Sequence, residues 1–471
     1  MLMDAIPTPG EAYYLLEWIV RLAMLATIPF RRSPAATRSW LLLIFFLPIP
    51  GLVLFLAIGT PRFPHWRAAR FRSLQPFFAG LTTRLASAAP EREGAEQDVA
   101  ELAARLGRLP AVAGNSVEFL DDYDAAIDRL IADIDAARHH VRLLVYIFAD
   151  DAVGLKVIAA LRRAIARGVA CRVLFDPVGS ARWRRGTLAR LEAAGVDVRT
   201  TLPFRLLRGR TRRDMRNHRK LFVIDGVIGY TGSQNIVAKD FRPGITNCEL
   251  VVRVTGPAVA EMNAVFLADW YLETEVLLDA NPAIPAPTGE AVLQVLPSGA
   301  DYPIEGFQTL LVWQLHQARR QVMIATPYLI PDEDLLGALT TAVLRGVEVH
   351  LVVSAVVDQR LVSLAQASYY DRLLARGVRV HRFRDYLLHA KNVCIDDSLA
   401  ILGSSNVDIR SFQLNEEISV LLFDPASIAR LREVQRGYLA GSDELVRAEW
   451  RRRGRMRKLA ENVAALVSPL L

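Results

Sequence analysis

The chain is 471 residues long, of which 52% are hydrophobic and 23% charged. This length predicts two or three domains, and the composition excludes a disordered chain, a coiled coil, a collagen-like chain and a small disulfide scaffold. The three cysteines lie far apart and match no metal-ligand spacing. The formal net charge of +7 favours partners that carry phosphate, either nucleic acid or anionic lipid.

Two apolar stretches open the chain, at residues 12–30 and 40–60. Each is close to the roughly 20 residues that a helix needs to span a bilayer. The second stretch contains Pro48, Pro50 and Gly51, which would kink a helix in a way that a membrane protein can accommodate. We therefore predict that residues 1–64 form a two-helix membrane hairpin. A re-entrant hairpin and a removable signal peptide are the alternatives.

Later in the chain, one pattern occurs twice. Gly168 and Gly195, and then Gly346 and Gly377, each separate the end of a helix from a strand that begins with valine, which is the chemistry of a helix C-cap. Strands that alternate with helices predict βαβ units and an α/β fold with a mainly parallel sheet. The matched order of the junctions predicts an internal duplication.

The duplication suggests a division of the chain after the membrane hairpin. Residues 65–113 include a charged helical stretch and form a predicted linker helix region. Residues 114–280 form the predicted first half and residues 281–471 the second. The break between the halves falls in a stretch rich in proline and alanine, which is typical of a linker.

A motif with chemical potential occurs once in each half. It reads His-x-Lys-x4-Asp, followed downstream by Gly-Ser-x-Asn. We take its His, Lys and Asp as catalytic candidates, although the position of the Asp favours bracing a turn, and its Ser and Asn as groups that bind phosphate or orient the site. The residues are His218, Lys220, Asp225, Ser233 and Asn235 in the first half, and His389, Lys391, Asp396, Ser404 and Asn406 in the second.

This motif suits a phosphodiester substrate. Alternation along a strand places the His and Lys of one motif on the same face, and two halves that meet would gather both pairs in one pocket. One imidazole can attack phosphorus while the other protonates the leaving oxygen. The lysines and asparagines can stabilise the charge that develops on the phosphate oxygens. We predict no metal and no cofactor, because the two lysines supply the positive charge.

The paired motifs resemble those of the phospholipase D superfamily and, within it, those of the bacterial cardiolipin synthases. The resemblance covers nearly the whole chain, and it includes several lesser motifs. These are Trp40-Leu-Leu-Leu and Pro48-x-x-Gly51, Tyr146-Ile-Phe-x-Asp-Asp-x-Gly154, Asp269-Trp-Tyr-x-Glu-Thr274, Leu296-Pro-Ser-Gly299 and Ser468-Pro-Leu-Leu471. It implies a duplicated mixed β-sheet sandwich flanked by helices, in a multi-pass protein of the bacterial inner membrane.

The resemblance also implies the reaction. One phosphatidylglycerol would give its phosphatidyl group to His218, with His389 as acid, and a second would then accept it to form cardiolipin. The choice of His218 as nucleophile follows the habit of the superfamily, because the repeat itself is symmetric. In such proteins a carboxylate some thirty positions beyond each His orients it, which points to Glu249 for His218 and Glu417 for His389, with the neighbouring Glu416 as an alternative to Glu417.

Three other functions stay open at this point. Water as the acceptor would make the protein a membrane-bound phospholipase D. A phosphodiesterase acting on nucleic acid is disfavoured by the membrane segment, and a non-catalytic protein that binds anionic lipid is disfavoured by the intact motifs. We expect phosphatidylglycerol, other anionic phospholipids and the membrane as partners, and no nucleic acid.

Two basic clusters support the expectation of a lipid partner. The first approaches the first motif and contains Arg205, Arg208, Arg210, Arg212, Arg213, Arg216 and Arg219. The second contains Arg451, Arg452, Arg453, Arg455, Arg457 and Lys458. It is followed, at helical spacing, by Leu459, Val463, Leu466 and Val467. A basic amphipathic helix of this kind suits the surface of an anionic membrane, while the alternative is a solvated face.

Overall fold

The computed structural model describes residues 8–32, 34–59, 63–90, 94–203, 214–302 and 304–467. Its first part is entirely helical. The elements are α1 (Pro9–Thr27), a 3-10 turn (Ile28–Phe30), α2 (Pro34–Phe46), α3 (Pro48–Ile58), α4 (His65–Ser73), α5 (Gln75–Leu85), a second 3-10 turn (Ala86–Ala88) and α6 (Ala95–Gly107).

The second apolar stretch does not form one long helix. It breaks at Leu47, and α2 and α3 lie side by side, since a Cβ on Gly51 would come within 3.0 Å of the Cα of Ile44. At 1.5 Å per residue each helix is roughly 20 Å long or less, shorter than the roughly 30 Å hydrocarbon core. Among the described residues only Pro9–Phe30 is long and apolar enough to cross a membrane. The prediction of two membrane-crossing helices is therefore not supported, and the second stretch is a pair of short helices packed against each other.

The first repeat follows α6. Its elements are β1 (Val112–Leu120), α7 (Tyr123–Ala136), β2 (His140–Val145), α8 (Ala152–Ala166), β3 (Ala170–Phe175), α9 (Arg184–Ala193), β4 (Asp197–Thr200), β5 (Leu221–Ile224), β6 (Ile228–Gly232), β7 (Asn247–Cys248), β8 (Val251–Thr255) and α10 (Ala258–Thr274).

The second repeat keeps the order of the longer elements, with short elements added within it and three more at its end. Its elements are β9 (Ala291–Ser298), α11 (Gly306–Gln317), β10 (Gln321–Ala325), β11 (Leu329–Ile330), α12 (Glu333–Leu344), β12 (Glu348–Ser354), α13 (Arg360–Ala375), β13 (Arg379–Phe383), β14 (Leu387–Leu388), β15 (Asn392–Ile395), β16 (Leu399–Gly403), β17 (Val407–Asp408), α14 (Ile409–Gln413), β18 (Glu417–Leu422), α15 (Pro425–Ala440), β19 (Ser442–Glu444), α16 (Arg447–Arg451) and α17 (Arg455–Val467).

All four helix–glycine–strand junctions that we predicted are present. Gly168, Gly195, Gly346 and Gly377 have φ between 85° and 90°, the left-handed region in which glycine carries no steric cost. They follow α8, α9, α12 and α13. Each glycine lies two residues after the end of its helix and two residues before the start of the next strand. The same backbone device therefore turns the chain back onto the sheet twice in each half.

Strand pairing joins both halves into one fifteen-stranded sheet, where we predicted a sandwich of two. The order is β19-β13-β12-β10-β15-β16-β18-β9-β1-β8-β6-β5-β2-β3-β4. Pairs are mixed, since β2 is parallel to β3 and antiparallel to β5. Antiparallel pairs outnumber parallel ones among the described strands, so the prediction of a mainly parallel sheet is wrong. The halves meet where β1 pairs with β9, with a shift of register between Val112 and Asn115. A sheet of more than about ten strands tends to curl, and its two halves share one buried cluster that includes Val254 and Val420.

The region that follows the membrane segment packs into this core. Phe71 of α4, together with Phe78 and Leu85 of α5, belongs to the cluster shared by both halves. Arg67 of α4 is fully buried and forms ion pairs with Glu273 at 2.8 Å and Asp301 at 2.9 Å. Helices α4 and α5 therefore pack as part of the folded core, where we expected a linker.

Arg67 begins a chain of buried charges that reaches the first motif. The backbone N–H of Asp301 donates to Glu416 at 2.9 Å. Glu416 in turn pairs with Arg219 at 2.8 Å, and Arg219 pairs with Asp269 at 2.6 Å. Arg219 directly follows His218 in the chain. We call this group the buried ionic network; its members are Arg67, Arg219, Asp269, Glu273, Asp301 and Glu416.

Candidate active site

The two motif histidines line one cavity between the halves. His218 lies three residues before β5, and His389 lies three residues before β15. Both are about nine-tenths buried and face a cavity of about 360 Å³. The topology thus brings together the two motifs that are 171 positions apart in the sequence, as their symmetric placement predicted.

Each histidine is paired with a carboxylate of the opposite half. Glu417 lies 3.0 Å from Nδ1 of His218, and Glu249 lies 2.8 Å from Nδ1 of His389. Our pairing of each His with the Glu of its own half is therefore wrong. The second glutamate of the prediction is Glu417 and not its neighbour Glu416. Glu417 contacts His218, whereas Glu416 points into the buried ionic network.

Strand pairing between the halves produces this crossing. Short strands β7 and β14 run parallel, with Leu388 opposite Cys248, and the N–H of His389 donates to the Cys248 carbonyl at 2.8 Å. On the other side the N–H of His218 donates to the Glu416 carbonyl at 2.8 Å. Each histidine backbone is thus fixed beside the residue that precedes the opposite glutamate.

Burial sets the resting charge of these pairs. Burial lowers the pKa of His218 to about 4, although Glu417 opposes the shift, and burial also lowers the pKa of His389. Burial pushes the pKa of Glu417 upward, but His218 and Lys220 pull it further down, so it lies below its ordinary value. A neutral imidazole that donates from Nδ1 to an ionised carboxylate leaves the Nε2 lone pair available as a nucleophile.

The motif lysines are buried beside the histidines. Each Nζ donates to the carbonyl of the histidine two residues before it, at 2.7 Å for Lys220 and likewise for Lys391. Burial lowers the pKa of Lys220 to about 7 and that of Lys391 to about 8. Both ammonium groups are therefore poorly solvated, which strengthens their interaction with an anion that enters the site.

The downstream Ser and Asn residues take different positions. The Ser404 hydroxyl donates to Glu417. The Ser233 hydroxyl donates to the Leu250 carbonyl at 3.2 Å, and Ser233 also helps to lower the pKa of Glu249. Asn235 accepts from the N–H of Ile147 at 3.0 Å, which leaves its NH₂ for a phosphate in the cavity. Asn406 also lines the cavity, but its Oδ1 is buried without a hydrogen-bond partner.

Asp225 and Asp396 brace turns and do not line the cavity. Asp225 accepts from the backbone N–H of Arg138, His139 and His140, at 2.7–2.8 Å. Asp396 accepts in the same way at the start of β10, at 2.8–2.9 Å. Both have positive φ, 52° and 49°. Their inclusion with the catalytic candidates is therefore wrong, and the turn-bracing alternative agrees with the structure.

Comparison with known proteins shows the family of the chain. Residues 130–270 and 311–436 match the family described as "Cardiolipin synthase, PLD-like domain". The chain is 34% identical to the Cardiolipin synthase A of Erwinia tasmaniensis and to that of Serratia proteamaculans, over 98% of this chain and 97% of each relative. The chain belongs to this family. The crystal structure of a phosphatidylserine synthase from Haemophilus influenzae superposes with a TM-score of 0.62 at 14% identity, covering 80% of this chain and all of that one, which shows a shared fold.

The cavity is also lined by polar and charged residues that do not belong to the repeated motif. Arg216 is almost fully buried, pairs with Asp176 at 2.9 Å, and has an Nη1 without a partner. Arg242 forms an ion pair with Asp358 of the other half, and the Tyr328 hydroxyl donates to the same carboxylate at 2.5 Å. Of these cavity residues only Arg216 stood out in the sequence, as part of a basic cluster. Arg242 and Tyr328 lie in segments without a local signal.

The first basic cluster has two different environments. Arg216 and Arg219 are buried and ion-paired, so they are not part of a solvated basic face. The remaining arginines of this cluster, at positions 205–213, lie outside the described residues.

The lysine environments predict a fall of activity in mildly alkaline solution. The free enzyme should lose kcat/KM as pH rises through about 7 to 8, because Lys220 and Lys391 lose their charge there; kcat/KM reports the ionisation of the free enzyme. On the acid side the loss should begin only near the His218 pKa of about 4. The measurement is kcat/KM on a soluble nitrophenyl phosphodiester from pH 4 to 9, because its leaving group needs little protonation and the ionisation of His389 then has little effect on this step.

Lys220→Arg is the control, because arginine keeps its charge throughout this range. The alkaline fall should move to higher pH in this variant. A wild-type profile that stays flat to pH 9, or an alkaline fall that Lys220→Arg leaves in place, would contradict this account of the lysines.

Proposed function

We propose that this protein is a membrane-anchored phosphatidyltransferase that condenses two phosphatidylglycerol molecules into cardiolipin and glycerol. The carrying observation is the pair of crossed His–Glu contacts around one cavity, in a chain that belongs to the cardiolipin synthase family. Two histidines of this kind supply one nucleophile and one acid–base group, which is what a two-step transfer through a covalent intermediate requires.

In the first step His218 attacks the phosphorus of one phosphatidylglycerol through Nε2. The P–O bond to glycerol breaks, and His389 gives its proton to the departing oxygen. The negative phosphodiester favours the protonated form of His389 as it binds. The lysines and Asn235 stabilise the charge on the non-bridging oxygens.

In the second step His389 takes a proton from a hydroxyl of the second phosphatidylglycerol. The new alkoxide oxygen bonds to phosphorus, the N–P bond to His218 breaks, and cardiolipin forms. Water in place of this hydroxyl would give phosphatidic acid, so the chemistry of the two histidines is the same in a hydrolase. The acceptor alone separates the two activities.

The functional assay therefore measures the fate of both products. Purified protein in phosphatidylglycerol vesicles should release one free glycerol for each cardiolipin formed, with or without EDTA. Phosphatidic acid as the main lipid product would instead identify a phospholipase D. Loss of turnover in EDTA with recovery on adding one divalent ion would exclude the metal-free mechanism.

The C-terminal helix supports docking on an anionic membrane in the bacterial cell. Along α17 the side chains of Met456, Leu459, Val463 and Leu466 are exposed, beside the second basic cluster. The helix packs against α13, and its buried Ala464 belongs to a cluster with Ile330. Ile330 also lines the candidate active site. We propose that α17 rests on the lipid surface and holds the mouth of the cavity near it.

The membrane segment yields a separate prediction. We propose that the catalytic unit begins after residue 64, because Arg67 is the first residue of the buried ionic network. Deletion of residues 1–64 should leave a folded protein that retains activity on a short-chain soluble substrate. Activity on bilayer phosphatidylglycerol should fall far more, because the anchor delivers the enzyme to its substrate.

The comparison needs a matched second deletion. Removing residues 1–73 also takes Arg67 away and should destabilise the core, which thermal unfolding measures. Equal losses on soluble and bilayer substrates after deletion of residues 1–64 would place the membrane segment within the catalytic unit and contradict the proposed boundary.

A further inference from the structure

An unsatisfied hydrogen-bond acceptor lies in the wall of the active-site cavity beside each crossed pair. Asn247 and Asn415 both line the cavity and are more than nine-tenths buried. The Oδ1 of each has no hydrogen-bond partner. A buried polar group without a partner is costly, so these two oxygens favour a ligand that brings a donor.

The orientation of both amides follows from their neighbours. Each amide nitrogen donates to the crossed glutamate two residues on, Asn247 to Glu249 at 3.2 Å and Asn415 to Glu417 at 3.3 Å. An ionised carboxylate only accepts hydrogen bonds. The NH₂ must therefore face the glutamate, and the Oδ1 stays buried without a partner in the cavity wall.

A phosphate has no donor to offer these oxygens when it is ionised, so the ligand group is on the alcohol. Asn247 is the better placed of the two for this purpose. It lies in β7, opposite Leu387 of β14, and Leu387 is two residues before His389. Asn247 also donates a hydrogen bond to Glu249, the glutamate that orients His389. In the proposed function His389 protonates the departing alcohol and deprotonates the arriving one.

We propose that Asn247 is a specificity residue whose Oδ1 accepts a hydrogen bond from a second hydroxyl, adjacent to the reacting hydroxyl of the alcohol. This inference rests on the proposed phosphatidyl transfer and names its alcohol class, a vicinal diol such as the glycerol headgroup. The same contact would serve the glycerol that leaves in the first step and the glycerol that attacks in the second.

A competition between two acceptors tests this proposal. Full-length protein in mixed micelles receives short-chain phosphatidylglycerol together with equal concentrations of 1,2-propanediol and 1-propanol, and the two phosphatidyl alcohols are quantified by mass spectrometry. Wild type should favour the diol. Asn247→Leu should lower the diol-to-propanol product ratio by roughly 3- to 30-fold, the value of one hydrogen bond in a buried site.

The ratio separates specificity from positioning. Ser233→Ala removes another group that stabilises the ionised form of Glu249 and should slow transfer to both alcohols without changing their ratio. Asn415→Leu, on the side of His218, should also leave the ratio unchanged. Unfolded molecules form neither product, so a partly folded variant still reports the ratio, and Asn247→Ser provides a smaller substitution for the same measurement.

The possible outcomes are distinct. An unchanged ratio in both Asn247 variants, or a change produced by Asn415→Leu alone, overturns the assignment of Asn247. 2-Aminoethanol serves as a third acceptor. If the Asn247 variants lose more selectivity for 2-aminoethanol over 1-propanol than for the diol over 1-propanol, the site binds an ammonium group. This result would also overturn the assignment of Asn247. Failure of the wild type to transfer phosphatidyl groups to any alcohol would instead refute the proposed function.

Discussion

His218→Ala is expected to abolish the covalent phosphatidyl-enzyme, because the proposed mechanism assigns the nucleophilic attack to His218 and the acid–base role to His389. His389→Ala should slow the natural reaction by about 10²–10⁴-fold, the usual contribution of general acid–base catalysis. On a nitrophenyl phosphodiester, whose leaving group needs little protonation, His389→Ala should form the intermediate and then stall. Acid quenching and mapping of the labelled peptide measure both results.

The crossed carboxylates provide matched controls for this experiment. Glu417→Gln should impair formation of the intermediate, because Glu417 contacts His218. Glu249→Gln should instead resemble His389→Ala, because Glu249 contacts His389. Label on His389 in the wild type, or label retained by His218→Ala, would reverse the roles of the two histidines. The crossed contacts would be contradicted if Glu249→Gln impaired formation of the intermediate and Glu417→Gln resembled His389→Ala.

Arg219→Met should cause a large loss of stability. Its guanidinium pairs with Asp269 at 2.6 Å and Glu416 at 2.8 Å, with almost no solvent exposure. Removing one partner of a buried ion pair leaves charge uncompensated and costs about 3–5 kcal/mol. The free energy of unfolding of the full-length protein in detergent should therefore fall by this amount, as measured by chemical denaturation.

Arg379→Met is the surface control. Arg379 pairs with Glu444 at 2.6 Å, but both side chains are almost half exposed. Such pairs contribute about 0–1 kcal/mol. Similar losses in the two variants would mean that the buried ionic network adds no more than an ordinary surface pair does.

Much of the candidate site was predictable from local pattern. The repeated His-x-Lys motif, its position before a strand and the turn that follows it depend only on neighbouring residues. Two halves with equivalent motifs at equivalent places already predicted one shared cavity. The glycines at φ near +90° were predictable for the same reason, since a helix must end and reverse there.

The parts that were missed depend on contacts that are distant in the sequence. Glu417 is 199 positions from His218, and a pairing of β7 with β14 decides which glutamate each histidine meets. Arg219 looked like a member of an exposed basic cluster because its partners are 50 and 197 positions away. The break between α2 and α3 at Leu47 was indicated by Pro48 and Pro50. The sequence alone, however, does not distinguish a kinked helix from two helices that pack side by side.

The crossed pairs also bear on how such a chain could have arisen. A single copy of the repeat would hold a histidine with no carboxylate beside it, since Glu249 serves His389 and Glu417 serves His218. Two identical copies related by a two-fold axis would satisfy both contacts at once. A chain with one such repeat would therefore need self-association to complete the site, and in this chain neither half can be separated from the other without losing both contacts.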